Sequence, residues 1–340
     1  MDTSTIQSYF KTLPLIEQDR LLSTLSTIKT NKSLGLIDIR ETNFNEKQEV
    51  CPHCQNKKYV KMGKDKGVQR YKCKSCHRTF TPYTGTWMAQ IHKKDILADY
   101  LELMQQGLSL DKIKEKLNIN KKTAFDWRHK ISQSIKEADK DFFIGITESD
   151  ETFFLHSEKG SGKLTRKPRK RGKQIKTQGI SKEQVAVIAT KDRKGAIALT
   201  ASCFGRISKK DIASAIGKRT TEQTILCSDG HVSYKGFAAD NNIEHHILRA
   251  NLKQFVKKGT FHIQNINSLH SRLKSWINND LYGVSTKYLQ NYLNWFHLKE
   301  KFKNENQLKS IVLLSLANTN ARAEYLYAAK NIYNNKTTLF

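Results

Sequence analysis

Two Cys-x-x-Cys pairs, "CPHC" at Cys51–Cys54 and "CKSC" at Cys73–Cys76, constrain this chain more than any other stretch of it. Eighteen residues separate the pairs. That spacing suits four thiolates around one tetrahedral zinc ion, and four protein ligands leave no open position for catalysis. The intervening "YVKMGKDKGVQRYK" has the character of a strand–turn–strand unit, so the segment reads as a zinc ribbon. A fold of this size buries little apolar surface. The metal is therefore expected to supply most of its stability, roughly 10–16 kcal/mol in comparable zinc peptides. Cys203 and Cys227 sit singly in apolar segments, and cysteines clustered in close pairs point to metal rather than disulfides.

Charge narrows the choice of partner. The chain of 340 residues has 59 Lys+Arg against 32 Asp+Glu, a net charge of +27. Such an excess implies a polyanion, nucleic acid before an anionic membrane surface. No apolar run approaches the ~20 residues of a spanning helix, and the N-terminus reads as neither signal peptide nor lipidation site, so no membrane role is expected. With 38% hydrophobic residues and 4 prolines the chain should bury a real core. Its expected location is cytoplasmic and nucleoid-associated.

The length allows two or three domains. Residues 1–46 read as an N-terminal helical arm and linker, 47–86 as the zinc ribbon, and 90–138 as an all-helical unit. Residues 142–302 alternate strand-like and helical segments, and 303–340 read as a helical tail. In the helical unit, Ile96, Tyr100 and Leu103 form one apolar stripe. Leu110, Ile113 and Leu117 form a second, and Ala124, Trp127 and Ile131 a third. Gly107 and "NIN" supply turns, with Ser109 and Asn120 as N-caps. A short helix, a tight turn and a helix opening "NKKTAFDWRHK" describe a helix-turn-helix. Lys121, Lys122, Thr123 and Arg128 would then face the DNA major groove or its phosphates.

In the larger segment, "DFFIGITESDETFFLH" reads as a strand and "EQVAVIATKDRKGAIALTAS" as two strands around a turn. "ISKKDIASAIGK" reads as a helix, "QTILCSDG" and "IEHHILR" as strands, with helices from about Gln264. These make a mixed α/β sheet with helices packed on it. Asp150 and Asp229 fall at strand ends that can converge at one sheet edge, where two carboxylates would hold divalent cations for phosphodiester chemistry. In "HIQNINSLHSRLKSWI" (His262–Ile277), Ile266, Leu269, Leu273 and Ile277 share one helical face. Asn267, Ser271 and Lys274 form the adjacent stripe, with His270 at its border. A third ligand on a helix flanking two aspartates is the arrangement of an RNase H-like nuclease site. Asn267 would offer an amide oxygen to a cation, and Lys274 would meet the phosphate of the scissile strand.

The order "CPHC…CKSC", helix-turn-helix, "DET", "RKPRKRG", "KDRKG", "CSDGHVSY" and "HIQNINSLHSRLKSWI" resembles the zinc-ribbon insertion-sequence transposases of the DDE superfamily, over about Glu49 to Phe302. Within them it is similar to the group numbered fifteen-ninety-five in insertion-sequence nomenclature, whose signature is Asp, Asp, then Glu or Asn, with Lys seven residues later. The resemblance implies an RNase H-like catalytic domain behind a zinc ribbon and a helix-turn-helix. It places Asp150 and Asp229 in the aspartate roles, Asn267 as the third metal ligand and Lys274 as the trailing lysine. Implied with these are structural zinc on Cys51, Cys54, Cys73 and Cys76, and catalytic Mg²⁺ or Mn²⁺. The expected activity is a prokaryotic DNA transposase that binds terminal inverted repeats, cleaves strands and joins them to target DNA, as a homodimer or higher oligomer on paired ends. A basic loop with nine Lys or Arg between Lys159 and Lys176, including Arg166, Lys167, Arg169, Lys170 and Arg171, would contact DNA near the site. Two other readings fit the same residues: a non-catalytic DNA-binding regulator, and a nuclease that cuts without joining.

Overall fold

The computed structural model describes residues 3–22, 40–41, 44–45, 50–135, 141–164, 179–249 and 252–301. The chain divides into two compact units, Met1–Ala124 and Phe125–Phe340. The basic loop residues Arg166, Lys167, Arg169, Lys170 and Arg171, and the tail at 303–340, lie outside the described residues. Among the described residues no helix is long and apolar enough to cross a membrane.

The first unit opens with helix α1 (Thr3–Thr12) and the helical residues 15–22, α2. Strands β1 (Tyr59–Asp65), β2 (Val68–Cys73) and β3 (Thr79–Phe80) form an antiparallel sheet in that order. The β1–β2 turn is Lys66–Gly67, with φ of 49° and 82°; positive φ at both central residues is the hairpin turn that matches strand twist. Phe44, Tyr59, Tyr71 and Phe80 pack ring against ring at centroid distances of 5.2–6.1 Å. Phe44 is 2% exposed and Arg40 Nε donates to the Pro82 carbonyl at 2.8 Å. Both residues belong to the stretch read from sequence as arm and linker, yet they pack on the sheet that carries the cysteines. The cause is chemical: β2 and β3 present Tyr71 and Phe80 on one face, and a small sheet needs an apolar partner there.

Three helices follow: α3 (Leu97–Gln105), α4 (Leu110–Leu117) and α5 (Lys121–Ile135). The buried face of α3 is Leu97, Tyr100, Leu101 and Met104, rotated from the expected stripe, with Ile96 and Leu103 only partly covered. Ser109 caps α4 by accepting from Lys112 N at 3.3 Å, and Asn120 Oδ1 accepts from Lys122 N at 2.8 Å ahead of α5. Both caps match the sequence reading. The division between units falls inside α5. Its later turns belong to the second unit, where the sequence reading had kept residues through 138 in the helical domain.

The second unit is mixed α/β. Strands β4 (Phe143–Leu155), β5 (Gln184–Asp192), β6 (Ile197–Phe204), β7 (Thr220–Ser228) and β8 (Glu244–Ile247) form one sheet of order β6-β5-β4-β7-β8. β4–β5 and β5–β6 are antiparallel, whereas β4–β7 and β7–β8 are parallel. Asp192 Oδ1 closes the β5–β6 turn by accepting from Lys194 N at 2.9 Å and Ala196 N at 2.8 Å. Helices α6 (Lys209–Ile216) and α7 (Val232–Asp240) are the crossovers that parallel strands require. They cover one face with Ile212, Ile216, Tyr234 and Phe237 against Ile188 and Leu226. A short hairpin, β9 (Val256–Lys257) and β10 (Phe261–His262), precedes helix α8 (Gln264–Ser275), and a π-helical turn, Trp276–Asp280, follows it. Helix α9 (Leu289–Lys301) packs by β6: Gln290 donates to the Leu199 carbonyl at 3.0 Å and accepts from Ala201 N at 2.9 Å. The expected strands are all present. Helix α7 and the β9–β10 hairpin were not anticipated.

Candidate active site

β4 outlasts its parallel neighbour, with 13 residues against 9 in β7. Its last β7 partner is Glu148↔Cys227, while pairing with β5 continues to Leu155↔Gln184. Asp150 is therefore inside a strand rather than at its end, at the point where one edge of that strand is uncovered. It lies two residues past Glu148, as Asp229 lies two past Cys227, so the parallel register carried forward sets the aspartates side by side. Gly230, φ +92°, follows Asp229; a Cβ there would stand 2.6 Å from Ile247 Cγ2, so only glycine leaves room for this turn. Asp229 Oδ1 accepts from His231 N at 3.0 Å at the entrance to α7.

Electrostatics report the crowding. Burial, then the charges of Glu151 and Asp229, push the Asp150 carboxyl up to about 7, with Lys274 pulling the other way. Burial and Asp229 likewise raise Glu151 to about 7. Successive strand residues face opposite ways, so Asp150 shares the α8 face with Glu148 while Glu151 points under α7. Asp150 and Asp229, with little compensating charge, present hard carboxylate oxygens of the kind a divalent cation takes.

Helix α8 carries the other half of the site. His270 is 7% exposed and its Nδ1 stands 3.7 Å from Asp150 Oδ2. Burial, then Lys274, holds this imidazole down to about 4. Lys274 is exposed one turn further on, close enough to act on Asp150. Asn267 is exposed one turn earlier; its N–H bonds the Ile263 carbonyl at 3.1 Å and its carbonyl accepts from Ser271 Oγ at 3.1 Å. The fold thus draws together Asp150, Asp229 and Lys274, with His270 nearer the carboxylates than sequence reasoning placed it.

Glu148 was missed altogether. It is fully buried and takes hydrogen bonds from Asn265 N (2.8 Å), Asn265 Nδ2 (2.7 Å) and Ile266 N (3.1 Å). The N-cap of α8 is Ile263, which has no side-chain acceptor, so this carboxylate from β4 satisfies the helix's free N–H groups and its positive end. Arg193 Nη2 at 3.1 Å and His262 Nδ1 at 3.4 Å complete its surroundings. The sequence signal was available: a helix with no capping residue, and an acid two positions before Asp150.

The four cysteine sulfurs lie within 4.8 Å of one another, the one such metal-ligating cluster among the described residues. Cys51 Sγ–Cys76 Sγ is 3.7 Å and Cys54 Sγ–Cys73 Sγ 3.5 Å. Sulfurs about 2.3 Å from one tetrahedral zinc are about 3.8 Å apart, and no disulfide joins these thiols. The residues after each pair, Gln55 (φ 59°) and His77 (φ 56°), turn alike, so the two halves are matching knuckles. Backbone N–H groups, first that of Cys76, lower the Cys73 thiol to about 6. The cluster is compatible with a zinc ribbon.

Of the helix-turn-helix residues, Lys121 and Lys122 are exposed at the start of α5 and Thr123 is half-buried. Lys121 Nζ pairs with Asp111 at 2.8 Å, a contact exposed on both sides. Arg128 is not available to DNA. It is 2% exposed, its guanidinium 5.1 Å from the centre of the Trp295 ring, because it sits on the α5 face that packs against α9.

Residues 142–300 match the ISXO2-like transposase domain family. A protein of Halobacterium salinarum, described as an uncharacterized protein in transposable element ISH50, is 24% identical over 259 residues, covering 74% of this chain and 85% of its own length. The crystal structure of a pre-cleavage Mos1 transpososome aligns over 66% of this chain and 78% of that one, at 10% identity and a TM-score of 0.26, too loosely to bear on the fold.

Proposed function

We propose, from the match of residues 142–300 to the ISXO2-like transposase domain family, that this chain is the DNA transposase of a bacterial insertion sequence, built on an RNase H-like catalytic domain and acting at the nucleoid. The observation that carries this reading is the β4–β7 register, which sets Asp150 beside Asp229 under the Lys274 stripe of α8. Asp150 and Asp229 would hold Mg²⁺ or Mn²⁺, with Asn267 offering an amide oxygen; when bound, the cation activates the attacking oxygen and screens the charge growing on the leaving one. Lys274 pairs with the scissile phosphate and holds it against the carboxylates. Glu148 fixes the start of α8 and so the position of the stripe. The exposed Lys121 and Lys122, with the half-buried Thr123, at the start of α5 bind the terminal inverted repeats, aided by the zinc ribbon on its four cysteines. The 166–171 cluster follows the DNA at the site. Two ends handled together call for a dimer or higher oligomer.

The test uses labelled element ends with Mg²⁺. Cleaved and joined products are expected from the wild-type chain; Asp150→Ala and Asp229→Ala should lose both products, at least about 10³-fold, yet still bind ends. Cleavage that survives either substitution overturns the assigned site. Binding without cleavage by the wild type favours the regulator, and cleavage without joining the nuclease.

A further inference from the structure

We propose that the β9–β10 hairpin and the residues leading into it, Leu252–His262, hold a DNA strand whose bases have left the duplex stack beside the scissile phosphate. This rests on the reading above, that Asp150 and Asp229 act on DNA. Both roots of the hairpin are bonded next to those aspartates. On the entering side, Leu248 N donates at 2.9 Å to the carbonyl of Ser228, the neighbour of Asp229. On the leaving side, Arg193 Nη2 donates to the Thr260 carbonyl at 3.2 Å and to His262 Nε2 at 3.0 Å. The same Nη2 lies 3.1 Å from Glu148, whose strand reaches Asp150 about 7 Å further on. Phe261 stacks on His246 with ring centroids 3.6 Å apart. The base of the hairpin is thus fixed to the sheet that carries the candidate site.

Its outer residues combine two chemistries. Leu252, Phe255 and Val256 are 63%, 56% and 43% exposed, three large apolar side chains within five positions. Arg249, Lys253 and Lys258 are exposed among them, and the segment Arg249–His262 contains no acid. A cluster of exposed apolar side chains marks a surface that something covers. A second copy set hairpin to hairpin would bring these cations face to face with no acid between them. Paired DNA offers phosphates to the lysines but keeps its base faces stacked away from Phe255. A strand with unstacked bases meets both needs, its phosphates on Lys253 and Lys258 and a base face on the Phe255 ring.

The test uses the full-length chain and two labelled element-end duplexes, one fully paired and one mismatched over a few pairs at the cleavage junction. The wild type should bind the mismatched duplex at least about tenfold more tightly. Phe255→Ala should lose about tenfold on that duplex and stay within about twofold on the paired one, while Phe255→Trp keeps the preference. Lys253→Ala with Lys258→Ala should weaken both and make binding less steeply dependent on salt. A 5-iodouracil at the unpaired position should photocrosslink to Phe255, a result that needs no substitution. Equal affinity for the two duplexes with cleavage intact, or a crosslink elsewhere, overturns the proposal and leaves the reading of the site standing. So does a dimer, or adhesion to phosphatidylglycerol vesicles, that Phe255→Ala abolishes without changing DNA binding. A wild-type chain that neither binds nor cleaves either duplex overturns the underlying reading instead.

Discussion

With its carboxyl raised to about 7 from an ordinary 3.8, Asp150 stays protonated in the folded chain over a pH range where the unfolded chain has already lost the proton. The folded state then binds more protons than the unfolded one. Stability is greatest below about pH 4 on this account and is lost as pH rises through about 7. Glu151, also raised to about 7, adds to the same slope. The metal-free protein should therefore melt lower at about pH 8 than at about pH 5, and Mg²⁺ or Mn²⁺ should recover most of the difference. Asp150→Asn removes the charge and should stabilise the metal-free chain at about pH 8, on the order of 3 kcal/mol, while destroying the proposed chemistry. A melting series across pH, with and without metal, checks this; a wild-type melting point flat with pH refutes it.

Helix α8 depends on a carboxylate from another element. Glu148 does for it what a serine or aspartate at the N-cap does elsewhere, from a strand more than a hundred residues earlier in the chain. Glu148→Ala should cost about 3–5 kcal/mol, because it leaves buried N–H groups unmet and Arg193 without its carboxylate. Denaturant midpoints measure the loss, and hydrogen exchange should show it concentrated in the first turn of α8. The sheet beside the four cysteines would depend in the same way on a metal held by them. Its aromatic cluster of Phe44, Tyr59, Tyr71 and Phe80 is small. Chelation should unfold that sheet and expose Cys51, Cys54, Cys73 and Cys76 together to a thiol reagent, while the α/β unit retains its melt. Reactive thiols counted against chelator concentration would show the four appearing as one step.

At the scale of the molecule, the division within α5 matters most. His129 is 1% exposed and stacks on Tyr288 at 4.2 Å, and Asn294 Nδ2 donates to the Ser132 carbonyl at 3.2 Å. The later turns of α5 are thus part of the α/β core. A chain begun at Lys121 should fold with one cooperative melt, whereas one begun after Ile135 bares the Tyr288 and Trp295 rings and should aggregate. Soluble yield and calorimetry of the two truncations decide the point. The sequence marked Trp127 and Ile131 as buried, and they are. Periodicity says that a face is covered without saying by which unit, and for that reason the sequence reading kept the α5 residues from Phe125 onward with the helical unit.

What the sequence determined by itself is what local chemistry writes into adjacent residues. The cysteine spacing suits a tetrahedral cluster, alternation with β-branched residues gives strands β4 to β8, and the Ser109 and Asn120 caps start their helices. Asp150 and Asp229 were legible as candidate acids, although Asp150 lies inside β4 rather than at the strand end expected of it. Tertiary structure alone decided the rest, since it depends on contacts between residues far apart in the chain. Only the β4–β7 register puts Asp150 beside Asp229 rather than several ångströms along. Only α8 lying over β4 turns Glu148 into a helix cap and brings His270 to 3.7 Å from a carboxylate. Arg128 shows the same limit from the other side. A basic residue on a recognition helix reads as a DNA contact until packing puts Trp295 against it.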